Sequence, residues 1–198
     1  VVALKMLLGD RLKYLGLIVG IAFAALLITQ QAGILVGLAH MTGSFIRDTS
    51  QADIWLMDKE VRFSQDSLPL QDTMLYRVRG VEGVDWAMPL YKGLLKAKLE
   101  NGSFQTCNVV GLDDTTLIGG PPWMVEGRLQ DLRLADAVIV DEVGATGKLA
   151  KPAKVKGEKP TPIGIGDTLE LNDHRAVVVG ICRGTRTFQS QPVIYTTY

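Results

Sequence analysis

The distribution of apolar residues divides the chain into two parts. Between Tyr14 and Ile46 there is no Asp, Glu, Lys or Arg, and the run LGLIVGIAFAALLITQQAGILVGLA is apolar at almost every position. A bilayer core about 30 Å thick requires about 20 apolar helical residues, and this stretch exceeds that length. It predicts a transmembrane helix over residues 14–46, with an outer end that extends as a stalk. A buried core helix or a cleaved signal peptide fits less well, because the run has no charged face and is longer than the apolar region of a signal peptide.

The charges that flank the apolar run predict its orientation. Lys5, Arg11 and Lys13 precede it, against the single acidic residue Asp10. Because basic residues are retained on the cytoplasmic side, the N-terminus is predicted to be cytoplasmic and residues after about 47 to be periplasmic, in a bacterial inner membrane. Apolar and basic residues alternate at helical spacing over residues 1–13, which predicts an amphipathic segment at the inner membrane surface; a simple extension of the span is the alternative.

The span also carries features of a helix that packs against other helices. Two G-x-x-x-G patterns lack side-chain bulk and allow a second backbone to approach closely. Thr29 and two glutamines lie between them, and polar side chains at membrane depth are costly unless they meet a polar partner. These features predict neighbouring helices from another chain or from sequence outside this one. The predicted helix-packing residues are Gly16, Gly20, Gln30, Gln31, Gly33 and Gly37.

Beyond Gln51 the apolar positions come in short runs separated by turn signals, which predicts a mixed α/β domain over residues 47–198 and an α+β fold class. The domain is predicted to open in the order β-α-β-β. Its predicted elements are a strand at 52–57, a helix at 70–79 with Asp72 near its start, a strand at 83–91, and strands at 92–99 and 104–110 joined by an Asn101-Gly102 turn. Further predictions are a buried strand at 137–140, a helix at 142–149, a hairpin of 167–171 and 175–181, and a last strand at 192–195.

Composition narrows the classes of partner. The chain has 21 basic and 21 acidic residues and therefore no formal net charge, which argues against a nucleic-acid partner. Residues 151–162, KPAKVKGEKPTP, are rich in lysine and proline and predict a mobile loop. This loop, Trp55 and Trp123 are candidates for a functional surface of the outer domain, although core packing accounts for both tryptophans equally well.

No sequence pattern predicts catalysis, a cofactor or a metal. His40 and His174 lack a ligand cluster. The stretch around Lys148 imitates a phosphate loop, but Glu142 takes the place of its first glycine and Leu149 that of its serine or threonine. Residues 164–166 are not followed by the third small residue of a dinucleotide fingerprint. The adjacent Asp113 and Asp114 are expected to cap a helical turn rather than to form an acid–base pair.

The two cysteines leave two possibilities open. Cys107 and Cys182 each lie in a predicted strand of the outer domain, where a disulfide is chemically permitted. Apolar neighbours such as Val109 and Ile181 favour buried free thiols instead.

Several segments, in their order along the chain, are similar to a known family. They are the basic amphipathic N-terminus, the long span, ADIWLMD, VRGVEGVDWAMPLYKGLLK, VVGLDDTTLIGGP, ADAVIVDE and GDTLELNDHRAVVVGI. Together they resemble the MacB/FtsX-like family of ABC-transporter permeases, in particular those of the DevC kind, as an N-terminal span plus a MacB-like periplasmic core domain. The resemblance covers essentially the whole chain. The family has four spans, with its large domain between the first and second, whereas this sequence carries one.

The resemblance implies a permease subunit of an ABC-type exporter. Such a subunit passes ATP-driven motion from a cytoplasmic ATPase, bound at the amphipathic segment, to a periplasmic domain that engages a membrane-fusion adaptor or the cargo. It implies a homodimer in membrane lipid. Hydrolysis would belong to the separate ATPase, so the chain itself would be no enzyme and would hold no cofactor. The alternatives are a single-span membrane sensor or binding protein with an outer ligand domain and, third, an anchored enzyme.

Overall fold

A computed structural model describes residues 9–49, 51–62, 66, 68–153, 159–184 and 190–198 of the chain. The chain separates into two compact units, and the division falls between Met41 and Thr42.

The first unit is dominated by one long helix, α1, which spans Arg11–Thr42. In the described part of the chain it is the one helix long and apolar enough to cross a membrane, and none of its residues is buried by the rest of the protein. The predicted helix over 14–46 is therefore present, but its bounds are shifted. It ends at Thr42 because Gly43, with φ −90° and ψ 5°, leaves the helical geometry. A separate short helix, α2, follows at Ser44–Asp48.

The second unit is built on a seven-stranded mixed sheet. After α2 come the helix α3 (Thr73–Arg79) and then the strands, with a 3-10 helix at Leu129–Arg133 and the helix α4 at Glu142–Thr146 between them. The strands are β1 (Tyr91–Lys98), β2 (Phe104–Leu112), β3 (Trp123–Glu126), β4 (Ala137–Asp141), β5 (Thr168–Leu171), β6 (His174–Arg183) and β7 (Val193–Thr197).

The sheet closes on itself. Its strand order is β3-β6-β4-β7-β2-β1-β5, and β5 also pairs with β6, so every strand except β3 belongs to a ring. The pairs β2–β7 and β4–β6 are parallel, and the others are antiparallel. Closure between β1 and β5 is narrow, since only Ala97 and Lys98 of β1 face β5.

Two apolar clusters lie on the two faces of the sheet, because successive strand residues point to opposite sides. One cluster receives a buried side chain from every strand of the ring and so fills its interior; α4 contributes Ala145. The other lies outside the ring, where Leu132 of the 3-10 helix and Phe45 of α2 pack against β2, β4 and β7. This double burial explains why all residues of β4 are buried.

The α+β fold class is confirmed, but the predicted opening order β-α-β-β is wrong in detail. The helix at 70–79 is present as α3, preceded by Asp72, yet residues 52–57 form no strand. Ile54 is 85% exposed and pairs with no strand of the described sheet. A run with strand-forming residues becomes a strand only when a neighbouring backbone pairs with it.

The absence of the second strand, predicted at 83–91, has a local cause, and only Tyr91 of that range lies in a strand. Arg79 Nε donates a hydrogen bond to the carbonyl oxygen of Ala87 at 2.9 Å, so a side chain takes the place of a ladder partner. Pro89 has no N–H to donate. Strand β1 accordingly begins at Tyr91, and the domain opens with α2, α3 and the β1–β2 hairpin.

The remaining predicted elements are present. The hairpin of 92–99 and 104–110 is β1–β2, the buried strand at 137–140 is β4, and the hairpin of 167–171 and 175–181 is β5–β6. The helix predicted at 142–149 is shorter, and the last strand begins at Val193. The short strand β3 and the 3-10 helix were not predicted.

Candidate functional site

The predicted helix-packing residues lie on one half of α1. At 3.6 residues per turn, Gly33 and Gly37 share a line with Gln30, and Gly16 and Gly20 share a neighbouring line with Gln31. A Cβ built on any of these four glycines would meet nothing within 4 Å. The glycine surface is therefore open within the chain itself.

One of the polar side chains in the span is satisfied by its own helix. Thr29 Oγ1 donates a hydrogen bond to the carbonyl oxygen of Ala25 at 2.8 Å, the usual back-bond of a helical threonine. The need for a polar partner therefore rests on the amides of Gln30 and Gln31, which are both exposed.

Two of the predicted orientation residues, Arg11 and Lys13, lie at the N-terminal end of α1. Arg11 is the first residue of the helix, and Lys13 Nζ lies 3.1 Å from Asp10 Oδ2 in an exposed i,i+3 ion pair. Lys5 lies outside the described residues. The orientation rule counts lysine and arginine rather than net charge, so the pairing of Lys13 leaves the prediction unchanged.

The cysteines are free and buried. Cys107 belongs to the cluster inside the ring and Cys182 to the cluster outside it, so the sheet separates the two thiols. Burial, with the nearby charge of Asp141, raises the pKa of each thiol to about 12. Neither thiol is a nucleophile at neutral pH, because only the thiolate reacts.

The predicted role of Asp113 as a cap is retained, but on a turn rather than a helix. Its Oδ2 accepts hydrogen bonds from Thr116 N at 2.9 Å and from Thr116 Oγ1 at 2.8 Å, which lowers the pKa of the carboxyl group. Arg133 fixes the same turn, since its Nε and Nη2 donate to the carbonyl oxygens of Asp114 and Thr115. Both aspartates are thus part of a turn.

The phosphate-loop imitation has a structural explanation. Gly144 lies in the first turn of α4, and its N–H donates to Asp141 Oδ2 at 2.9 Å. Gly164 N likewise donates to Asp167 Oδ2 at 2.8 Å. These amides are engaged by carboxylates of the chain itself. Across the described residues no group of His, Cys, Asp and Glu side chains has a geometry that could hold a metal ion.

An open groove of about 330 Å³ lies in the second unit beside the start of β3. It is lined by Asp48, Gln51, Gly120, Pro121, Pro122 and Trp123. Trp123 is 72% exposed, so it does not pack in the core. Gln51 is held in place, because its Oε1 accepts a hydrogen bond from Gly119 N at 3.1 Å. Sequence reasoning identified Trp123 but not the polar residues that the fold brings beside it.

The other candidate surface residues have structural partners. Trp55 packs edge-on against Phe45, with ring centroids 5.6 Å apart. Lys151 lies at the start of the lysine-rich loop, and its Nζ is 2.6 Å from Asp167 Oδ1. Its backbone forms an isolated antiparallel β-bridge with Thr161. Residues 154–158 of the predicted mobile loop lie outside the described residues.

Comparisons with known proteins add a partial likeness. No family model matches the chain, and no curated protein sequence matches it. Among solved structures, this chain is similar to the extracellular domain of the noncanonic ABC-type transporter YknZ from Gram-positive bacteria, at 12% identity over 65% of this chain and 62% of that one, with a TM-score of 0.44. It is also similar to the periplasmic region of MacB from Actinobacillus actinomycetemcomitans, at 18% identity over 66% of this chain and 56% of that one, with a TM-score of 0.42. The chain spans less than two thirds of either structure.

Proposed function

We propose that the chain is a membrane (permease) subunit of an ABC-type exporter, and that it passes ATP-driven motion from a cytoplasmic ATPase to its outer domain. The observation that carries the proposal is a 32-residue helix that has no charged residue after Lys13 and is followed, after one residue, by a folded α+β domain. The sequence segments that resemble those of MacB/FtsX-like permeases, and that follow one another in the same order along the chain, support the proposal. ATP would bind to the separate ATPase, since no phosphate loop is found in this sequence.

The proposed topology follows from the flanking charges. Residues 1–13 would lie at the inner surface of the bacterial inner membrane and dock the ATPase, α1 would cross the bilayer, and residues after about 47 would be periplasmic. Arg11 and Lys13 would keep the N-terminal end inside, together with Lys5. The outer domain would engage a membrane-fusion adaptor or the cargo, and the groove at Trp123 is a candidate surface for that contact.

The proposed assembly uses the glycine half of α1. The line formed by Gly16 and Gly20 lies about 100° around the helix axis from the line formed by Gly33 and Gly37, so each can receive a different neighbouring helix. Each line also carries one glutamine amide, which would hydrogen-bond to its neighbour in the bilayer. A homodimer accounts for one neighbour, and further permease helices account for the other.

The test uses the full chain, expressed with the ATPase subunit encoded beside it and extracted from membranes. We expect stable co-purification and an ATPase turnover that changes when the chain is present. Replacing Gly16 and Gly20 with leucine should weaken both, because the bulk blocks close approach while meeting nothing inside the chain. The matched control replaces Ala25 and Ala32, on the opposite half of α1, with leucine and should leave both unchanged.

Two outcomes would contradict the proposal. If the glycine variant assembles and couples as well as the alanine control, the packing surface is wrong. If the chain is monomeric in detergent and no ATPase accompanies it, the exporter assignment is wrong, and a single-span sensor or binding protein becomes the better hypothesis.

A further inference from the structure

The tip of the β1–β2 hairpin is a tight, exposed loop. Leu99 N donates to the carbonyl oxygen of Ser103 at 2.9 Å, and Gly102 N donates to the carbonyl oxygen of Leu99 at 2.8 Å. Gly102 has φ +77°, which glycine adopts without strain. Asn101 keeps a negative φ, so this is a three-residue loop that ends in a left-handed glycine rather than a two-residue turn.

The side chain of Asn101 is held by two donors. Its Oδ1 accepts a hydrogen bond from Ser103 N at 3.0 Å and another from Ser103 Oγ at 2.6 Å. Both donors polarise the amide carbonyl and would stabilise negative charge that develops on Oδ1 during an attack on Cγ, as the donors of an oxyanion hole do. The next residue, Gly102, has no side chain to obstruct such an attack, and its Cβ position is empty of neighbours.

We propose that Asn101 is a site of spontaneous deamidation, promoted by the two hydrogen bonds from Ser103. The backbone nitrogen of Gly102 forms a bond to Asn101 Cγ, the bond from Cγ to Nδ2 breaks, and the proton of the Gly102 amide leaves with that nitrogen as ammonia. Water then opens the resulting succinimide at either carbonyl and yields aspartate or isoaspartate. No oxidant, reductant or enzyme is required.

The fold regulates this reaction. The Gly102 N–H must release the carbonyl of Leu99 before its nitrogen can attack, so the rate depends on how often the loop opens. The product has a consequence for the neighbouring charges, because it places a new carboxylate beside Glu100, whose Oε1 lies 3.9 Å from Lys151 Nζ. Isoaspartate also lengthens the main chain by one carbon within a loop whose two hydrogen bonds fix its length.

The chain supplies a matched internal control. Asn172 lies at the equivalent exposed tip of the β5–β6 hairpin, with φ +49°, but is followed by Asp173, whose side chain obstructs ring closure. Asn108 is buried in β2 and is held away from water. Conversion is therefore expected to be confined to Asn101.

The experiment incubates the full chain in detergent at mildly alkaline pH and follows residues 101, 108 and 172 by peptide mass spectrometry. We expect aspartate and isoaspartate to accumulate at residue 101 several-fold faster than at 172. Ser103→Ala removes one donor and retains the backbone donor, so it should slow conversion by about 2- to 10-fold, the equivalent of one hydrogen bond.

Three results would overturn the proposal. One is an Asn101 that stays intact while a synthetic peptide of residues 99–104 converts. Another is conversion at Asn172 as fast as at Asn101. The last is a Ser103→Ala variant in which Asn101 converts as fast as in the parent protein. That result would show that the hydrogen bonds from Ser103 do not promote the reaction.

Discussion

Asp141 Oδ1 accepts a hydrogen bond from the backbone nitrogen of Val193 at 2.8 Å, while Oδ2 of the same carboxylate accepts one from Gly144 at 2.9 Å. Asp141 is the last residue of β4 and is 4% exposed. One buried carboxylate therefore connects the end of β4, the first turn of α4 and the start of β7. The function of this residue is structural, because both oxygens are engaged by the chain.

Replacing Asp141 with alanine should lower the free energy of unfolding by about 2–4 kcal/mol, because two buried N–H groups lose their acceptors. Asp141→Asn keeps one acceptor oxygen and should cost less. Urea unfolding followed by tryptophan fluorescence measures both values. Variants as stable as the parent would show that water replaces the carboxylate.

Gly127 and Gly166 show two different reasons why a position requires glycine: a left-handed backbone conformation, and lack of space for a side chain. Both have positive φ, +76° and +89°, but a Cβ on Gly127 would lie 2.9 Å from Gly180 Cα and closer still to the carbonyl oxygen of Val179, whereas one on Gly166 meets nothing within 4 Å. Gly166→Ala should cost about 1–2 kcal/mol, the strain of a left-handed residue. Gly127→Ala should cost about 2–5 kcal/mol, because overpacking against the backbone is added. Thermal unfolding of the two variants tests the difference; equal losses would contradict it.

The buried thiols predict alkaline sensitivity. Burial raises the pKa of Cys107 and of Cys182 from 9.0 to about 12. Their contribution to stability is fully present below pH 9 and is lost as the pH rises from 9 towards 12, because only the unfolded chain then releases the thiol protons. The expected loss is about 1.4 kcal/mol per thiol for each pH unit in that window. Replacing both cysteines with alanine should flatten the dependence, and a reducing agent should leave the melting temperature unchanged.

The lowered pKa of Asp167 predicts that stability falls as the pH decreases, the opposite sign to the effect of the thiols. Burial raises the pKa of this carboxyl group, but hydrogen bonds from Lys151 Nζ and Gly164 N outweigh burial and hold the pKa below 3.8. The stabilisation is present above pH 3.8 and is lost as the pH falls through the lower folded-state value. Asp167→Asn should cost about 0.5–1 kcal/mol near neutral pH, and the difference from the parent should vanish in strong acid. A difference that persists at low pH would assign the loss to packing.

The sequence predicted those elements whose pattern is local. Four apolar residues in a row from Ala137 indicated a strand, and the Asn101-Gly102 turn marked the first of the two predicted hairpins. Ring closure by β5 was not predicted, because it depends on Ala97 meeting Leu171 across a long separation in the sequence. The reverse error occurred at Ile54, where strand-forming residues have no paired neighbour.

The two candidate surfaces also differ in how far local sequence predicts them. The glycine half of α1 follows from spacing alone, since one helix carries all of it. The groove at Trp123 combines Asp48 and Gln51 with Pro121 and Pro122, and nothing local joins these two stretches. The hydrogen bond from Arg79 to the carbonyl oxygen of Ala87 was likewise not predictable from local sequence, and it forms where the pattern favoured a strand.

The position of β7 constrains the order in which the sheet can form. Residues 193–197 lie between β2 and β4, in the middle of the sheet rather than at its edge. Strands β2 and β4 therefore have no shared neighbour until residues 193–197 have been synthesised. The β1–β2 and β5–β6 hairpins can pair before β7 is available, but the ring of strands closes only when β7 joins β2 to β4.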